Sequence, residues 1–238
     1  MAEKQKHNRK PFFRFVKGII RIFRRKPKFE YLGAQPQGAC IYVSNHSAAS
    51  GPVTYELYLP APIRIWGTYE MCGGFKMRWE YLNRTYYRRK KKYTRFTSFL
   101  LATFVTPFVA LFYKGMRIIP TYPDMRLMRS VKDSVSELEN GTSILVFPED
   151  SSDGYHEVLT KFFGGFVTLA KCYHDKTGKD IDIVNMYYDR KSNMVIVGEP
   201  KSYLALSERF SSRDEIAEFF LNDTNKMFFD YVQPKRKK

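Results

Sequence analysis

Cysteine is nearly absent from this chain of 238 residues, and Cys40, Cys72 and Cys172 are far apart and odd in number. That excludes a disulfide framework and a cysteine-based metal site, and it points to a reducing compartment. Histidine is almost as rare, with four in all, and no metal spacing links them; no metal is expected. There is no internal repeat. A secretory signal is not expected either, because basic residues continue through the first apolar stretch and no small-residue cleavage site follows. Long hydrophobic runs are scarce. The charge-free apolar stretch Phe96 to Tyr113 is 18 residues, against the roughly 20 a spanning helix needs. Pro107 stands in its middle, where it would kink a helix. The stretch reads as a helix packed in the domain or dipped into one leaflet rather than as a full span. Its basic flanks place both neighbours on the cytoplasmic side of a membrane.

Acidic residues are also in short supply: 24 against 40 basic, a net charge of +16. The excess is local. Residues 1–30 carry +9, residues 83–95 carry +7, and Lys235 to Lys238 carry +4, leaving about −4 for the remainder. In residues 11–26, Phe12, Phe15, Val16, Ile19, Ile20 and Phe23 recur at helical spacing, with Arg14, Lys17, Arg21, Arg24 and Arg25 on the other side. This is the pattern of a helix lying in a membrane interface with its cations toward lipid head groups. The alternative is a helix that packs on its own domain. The second cluster is flanked by Tyr86, Tyr87 and Tyr93, residues that favour the same interface. The expected partner is an anionic membrane surface and the expected location its cytoplasmic face. Because the cations interleave with apolar faces, no specific nucleic acid is expected.

Between these basic segments, strands alternate with helices. Strands are predicted at 39–44, 63–67, 118–119, 143–147, 181–187 and 194–197, and helices at 52–59, 125–139, 162–174 and 213–231; residues 69–95 resist assignment. The fold class is α/β: a mixed, mostly parallel sheet flanked by helices, with the amphipathic helix at the N-terminus. The predicted organisation is a membrane-association segment 1–32, an α/β domain 33–233 and a basic tail 234–238.

Two strands end in polar residues. The run to Ser44 delivers Asn45-His46, and the run to Phe147 delivers Pro148-Glu149. In open α/β sheets sites form at the carboxyl ends of strands, and an imidazole can move protons near neutral pH. His46 is followed by the small residues Ser47-Ala48-Ala49-Ser50-Gly51, which leave room for a substrate.

The ordered set of segments resembles the glycerolipid acyltransferase family, of the lysophosphatidic-acid-acyltransferase type. Its motifs run Asn-His-x4-Asp, then Gly-x-Ile-x-x-x-Arg, then Phe-Pro-Glu-Gly-Thr-Arg-Ser, then a late apolar strand. Here they correspond to Asn45-His46, to Gly115–Pro123, to Phe147-Pro148-Glu149 and to Ile181–Asn185, while Leu159–Gly165 resembles the family's Phe-Lys-x-Gly stretch. The resemblance covers roughly residues 38–200. It implies transfer of a fatty acyl group from a thioester (acyl-CoA or acyl carrier protein as co-substrate, with no other cofactor) to a lipid acceptor hydroxyl. His46 would be the general base, with Asn45 and Glu149 beside it.

This chain departs from the pattern in three places. Gly51 stands where the family has the Asp that orients the imidazole. The second motif's arginine position falls near Tyr122-Pro123. In the third motif Asp150 replaces Gly and Ser152 replaces Arg. The lost cations suggest an acceptor other than lysophosphatidic acid, with a neutral or cationic head group. Two readings follow. In one, a working transferase uses Asp150 or Asp153 in place of the missing Asp, with Arg117, Tyr122, Phe147, Pro148, Ser151, Ser152 and the space at Gly51 receiving the substrate. In the other, a degenerate relative binds acyl chains or membrane without turnover. A third, minor reading is a nucleic-acid binder driven by the basic segments.

Overall fold

The computed structural model describes residues 11–236. The first ten residues of the basic N-terminal segment, His7 among them, and the last two lysines of the tail lie outside it, as does the side chain of Phe12.

The chain begins with α1 (Pro11–Phe23) and β1 (Lys28–Tyr31), then β2 (Ile41–Ser44), α2 (Ser50–Tyr58) and β3 (Ile63–Thr68). The stretch that resisted assignment is helical: α3 (Tyr69–Cys72) and α4 (Phe75–Glu80), the latter running into a wider π-type helix over Tyr81–Lys90. Next come α5 (Arg95–Met116), β4 (Ile119–Thr121), α6 (Leu127–Glu139), β5 (Ser143–Val146), α7 (Gly165–Thr177), β6 (Asp182–Asp189), β7 (Met194–Val197) and β8 (Lys201–Ser202). The chain closes with α8 (Tyr203–Arg209), α9 (Arg213–Met227), a second π-type turn at Phe228–Val232 and α10 (Gln233–Arg236).

The strands form a mixed, mostly parallel sheet in the order β1-β7-β6-β2-β5-β3-β4, with β8 on β6. The run β6-β2-β5-β3-β4 is parallel, and β7 pairs antiparallel with β6. Successive side chains of a strand face opposite ways, so β2 and β5 feed two cores. Ile41, Val43, Ile144 and Val146 meet α6, α7 and α9 on one face. Cys40, Tyr42 and Leu145 meet Tyr55, Phe13 and Met116 on the other. Both faces are covered, which is why these strands read as continuous apolar runs.

The termini differ from expectation. Lys28–Tyr31, assigned from sequence to a separate N-terminal segment, pair with β7 and belong to the sheet. In the expected basic tail, Lys235 pairs with Glu30, and Arg236 with Asp189 and Glu157. Helix α1 has the predicted amphipathic pattern, but part of its cationic face turns inward. Lys17 pairs with Glu56 and donates to its carbonyl, Arg21 donates to the Leu57 carbonyl, and Arg24 reaches Ser50 and Thr54. The C-terminal end of α2 leaves carbonyls unpaired and carries the negative end of the helix dipole, which Lys17 and Arg21 satisfy, while Arg24 binds nearer the start of the helix. The apolar side therefore faces out, with Phe15, Ile19, Ile22 and Phe23 exposed.

Helix α5 lies against α1 through Phe13 and Phe112, whose ring centroids are 5.6 Å apart. Gly115 makes this possible, because a Cβ there would lie 2.0 Å from the Phe13 ring. The expectation that α5 packs within the domain fails on its outer side, where Phe96, Phe99, Phe104, Phe108 and Leu111 are exposed. By length and composition α5 could cross a membrane.

Candidate active site

Strands β2 and β5 are parallel neighbours, with Ile41 opposite Ile144 and Val43 opposite Val146. Carried past the strand ends, that register brings His46 level with Glu149. The contact is made: the His46 backbone N–H donates to Glu149 Oε2 at 3.0 Å. The same counting through β3 and β4 brings Tyr69 and Tyr122 to this rim. Their rings stack at 5.1 Å, and the Arg126 guanidinium lies 4.5 Å over Tyr122.

Asn45 is buried and faces the neighbouring strand. Its Nδ2 donates to the Tyr188 carbonyl at 3.0 Å and its Oδ1 accepts the Tyr188 N–H at 2.7 Å, extending the β2–β6 pairing beyond the last strand residue. Asn45 therefore fixes the chain from which His46 projects. Asn45→Ala leaves two buried backbone groups unpaired, and an expected loss of about 2–4 kcal/mol is readable by chemical denaturation.

The His46 ring is held by backbone. Nδ1 lies 2.6 Å from the Ala48 carbonyl oxygen. A carbonyl only accepts, so Nδ1 carries the proton and Nε2 keeps its lone pair. The bond requires an abrupt turn: Ser47 and Ala48 are both left-handed, at φ 45 and 54, an arrangement that costs a non-glycine residue energy and concentrates at functional sites. The ring sits between Phe147 at 4.8 Å and Tyr155 at 5.0 Å. Burial lowers the imidazole pKa to about 4; the Ala48 carbonyl opposes that shift and the charge of Lys90 adds to it.

Glu149 is 8% exposed. Burial raises its carboxyl to about 7, against the pull of the His46 N–H and of Lys90. Its Oε1 is buried with no hydrogen-bond partner. Because Oε2 accepts from His46, a proton on this carboxyl sits on Oε1.

The other residues singled out from sequence are divided. Phe147 and Pro148 line a cleft of about 1010 Å³, together with Trp66, Tyr69, Tyr122 and Phe163. His46 is not part of that lining, and Phe147 touches both ring and cleft. Ser151 is at the site, accepting from Lys90 Nζ at 2.8 Å. The idea that Asp150 or Asp153 orients the imidazole is corrected. Asp150 accepts the Ser152 N–H, Asp153 pairs with His156 at the surface, and Nδ1 belongs to Ala48. Ser152 is exposed. Arg117 is exposed at the opposite end of β3, where its carbonyl accepts from Arg64, and it does not come to this rim.

Gly51 packs against the backbone of the turn that carries His46. A Cβ at 51 would lie 2.3 Å from the His46 carbonyl oxygen and 3.1 Å from its carbon. The position is therefore closed to any side chain while the turn holds, and it offers a substrate no space.

Sequence reasoning missed Lys90. It was read as one of a run of interfacial cations, yet it reaches inward from the π-type helix to Ser151 and lies 5.0 Å from the Tyr155 ring centroid. Burial lowers its pKa, and among the described residues it has no ion-pair partner. Lys90 is the last residue of this wide-wound helix, which sequence periodicity did not reveal.

No family model and no curated protein matches the chain. Among solved structures it is similar to the 1-acyl-sn-glycerophosphate (LPA) acyltransferase PlsC from Thermotoga maritima, with a TM-score of 0.46 and 13% identity over 98% of this chain and 85% of that one.

Proposed function

We propose that this chain is a membrane-associated acyltransferase that moves a fatty acyl group from an acyl thioester, acyl-CoA or acyl carrier protein, to a lipid hydroxyl. The observation that carries the reading is the His46–Glu149 pair: an imidazole fixed in its neutral form with Nε2 free, beside a buried carboxyl with a free oxygen. Environments that push two titratable groups apart in this way define a base and an acid. The acceptor hydroxyl gives its proton to Nε2 as its oxygen bonds to the thioester carbonyl carbon. The carbonyl oxygen becomes an oxyanion, and Oε1–H of protonated Glu149 donates to it. Collapse breaks the C–S bond, and the departing thiolate takes the proton from the imidazolium. No acyl-enzyme forms.

The missing Asp is replaced by a neutral acceptor. The Ala48 carbonyl orients the ring but stabilises its charged form less than a carboxylate would, consistent with the low imidazole pKa. Lys90 supplies a cation where the sequence offers none in the third motif, so an anionic acceptor is compatible with this site. Association with a membrane is supported by the outward apolar sides of α1 and α5, and the cytoplasmic face is part of the proposal. A second reading, binding without turnover, is favoured by one observation: Phe147 stands between the imidazole and the large cleft.

The test is purified protein with labelled acyl thioester and a panel of hydroxyl lipids. His46 must be neutral and Glu149 protonated, so the rate rises with pH through about 4 and falls through about 7. Glu149→Gln keeps a donor but removes the titrating group, so activity survives and the alkaline limb disappears. An unchanged alkaline limb in that variant would remove Glu149 from the acid role.

A further inference from the structure

The π-type helix and the start of α5 hold a second cationic feature, away from the His46–Glu149 pair. Arg84, Arg88, Arg89 and Arg95, with Tyr93 and Thr94, line an open cavity of about 600 Å³. Among the described residues none of the four guanidinium groups makes an ion pair or a side-chain hydrogen bond. No acidic residue occurs from Tyr81 to Pro123. Four like charges around one cavity repel one another, and among the described residues no carboxylate pairs with any of them.

The backbone is built to bring them together. In a π-type helix residues four and five apart share a face, so Arg84 stands beside Arg88 and Arg89. Such widened turns occur mostly at functional sites. Lys92 is then left-handed, at φ 56, and reverses the chain. Arg95 thereby enters as the first residue of α5, whose N-cap Thr94 accepts the Thr97 N–H. The 22-residue α5 has no acid in its first turn, and the positive end of its dipole adds to the same field.

We infer that these four arginines form a binding site for a phosphate-bearing anion, and that the anion is the head group of a phosphomonoester lipid. Guanidinium forks match phosphate oxygens in pairs, which a diffuse lysine surface does not. The lipid source follows from position: the exposed apolar face of α5 begins at Phe96, one residue beyond Arg95, and continues through Phe99, Phe104 and Phe108. A lipid whose phosphate sits among the arginines has its chains beside that face. This inference rests on the membrane-association reading above, and a soluble phosphate carrier is the competing source.

The experiment measures sedimentation of the full chain with vesicles of phosphatidylcholine alone, with phosphatidate, and with phosphatidylserine at matched surface charge. Arg88→Gln/Arg89→Gln and Arg88→Lys/Arg89→Lys variants run beside the wild type, and titration with inorganic pyrophosphate runs in parallel. At a per-arginine contribution of the usual interfacial size, the glutamine pair lowers partition onto phosphatidate vesicles on the order of thirtyfold. The lysine pair retains charge but loses the preference for phosphatidate over phosphatidylserine. Equal partition of wild type and glutamine pair overturns the site, as does equal wild-type binding to the two anionic lipids. Pyrophosphate binding that the glutamine pair loses, without any vesicle binding, overturns the lipid source. Failure of the membrane reading is seen separately: Phe104→Ser/Phe108→Ser leaves binding to every vesicle unchanged. Since the arginines have no ion-pair or side-chain hydrogen-bond partners among the described residues, both arginine variants keep the wild-type melting temperature.

Discussion

Replacing His46 by alanine lowers acyl transfer by about 10²- to 10⁴-fold, the range a positioned general base contributes, and leaves binding of the acyl thioester intact. The separation follows from what the ring touches. Its only hydrogen bond among the described residues is to a backbone carbonyl two positions on, and its other contacts are Phe147 and Tyr155. The backbone N–H that holds Glu149 survives the substitution, so the carboxyl stays in place. The measurement is transfer of labelled acyl group to a lipid panel, with thermal melting to show that the fold persists. If wild type and variant transfer at the same rate, the imidazole is not the base. If neither transfers while both bind thioester, binding without turnover is the correct reading.

The second large effect concerns Gly51. The resemblance to glycerolipid acyltransferases puts an Asp at this position, and by that pattern Gly51→Asp should restore a missing partner and raise activity. The geometry predicts the opposite. The Cβ alone would lie 2.3 Å from the His46 carbonyl oxygen, against backbone that cannot swing aside as a side chain can. The turn through Ser47 and Ala48 must open, and the Ala48–imidazole hydrogen bond opens with it. Gly51→Asp therefore loses activity as fully as His46→Ala does, with a stability cost of about 1–3 kcal/mol, the usual size for forced overpacking. Gly51→Ala separates causes: a steric effect makes the two variants fall together. Activity in Gly51→Asp above wild type would show that the turn can be rebuilt around a carboxylate.

Much of the frame was legible in the sequence because it depends on local pattern. The apolar runs ending at Ser44 and Val146 are strands buried on both faces, and continuous hydrophobicity is the signature of that environment. Helix α6 was readable from its apolar spacing, starting two residues later than predicted because Asp124 spends its side chain on Arg126 rather than on the helix. The glycines at 164 and 165 open α7 instead of lying within it.

What was misread has a common cause. The amphipathic pattern of α1 shows that it has two faces but not which one meets the protein, and the carbonyls of α2 drew three cations inward. The charge run at 84–95 gave no period, because a π-type helix follows neither the 3.6-residue nor the two-residue repeat. Its residues accordingly divide between the active-site rim, through Lys90, and the arginine cavity. The orienting group was sought among side chains, Asp150 and Asp153 above all, whereas a backbone carbonyl does the work, and every residue type carries one.

The sequence by itself determined the α/β class, the two strands that deliver His46 and Glu149, and the closeness of those residues once the strands pair in parallel, since these follow from hydrophobic runs and equal spacing beyond their ends. Tertiary structure alone decided which atom holds the imidazole, which cation reaches the rim and which side of α1 faces out. Each of those depends on backbone groups and on turns with positive φ, whose positions are set by packing across distant parts of the chain.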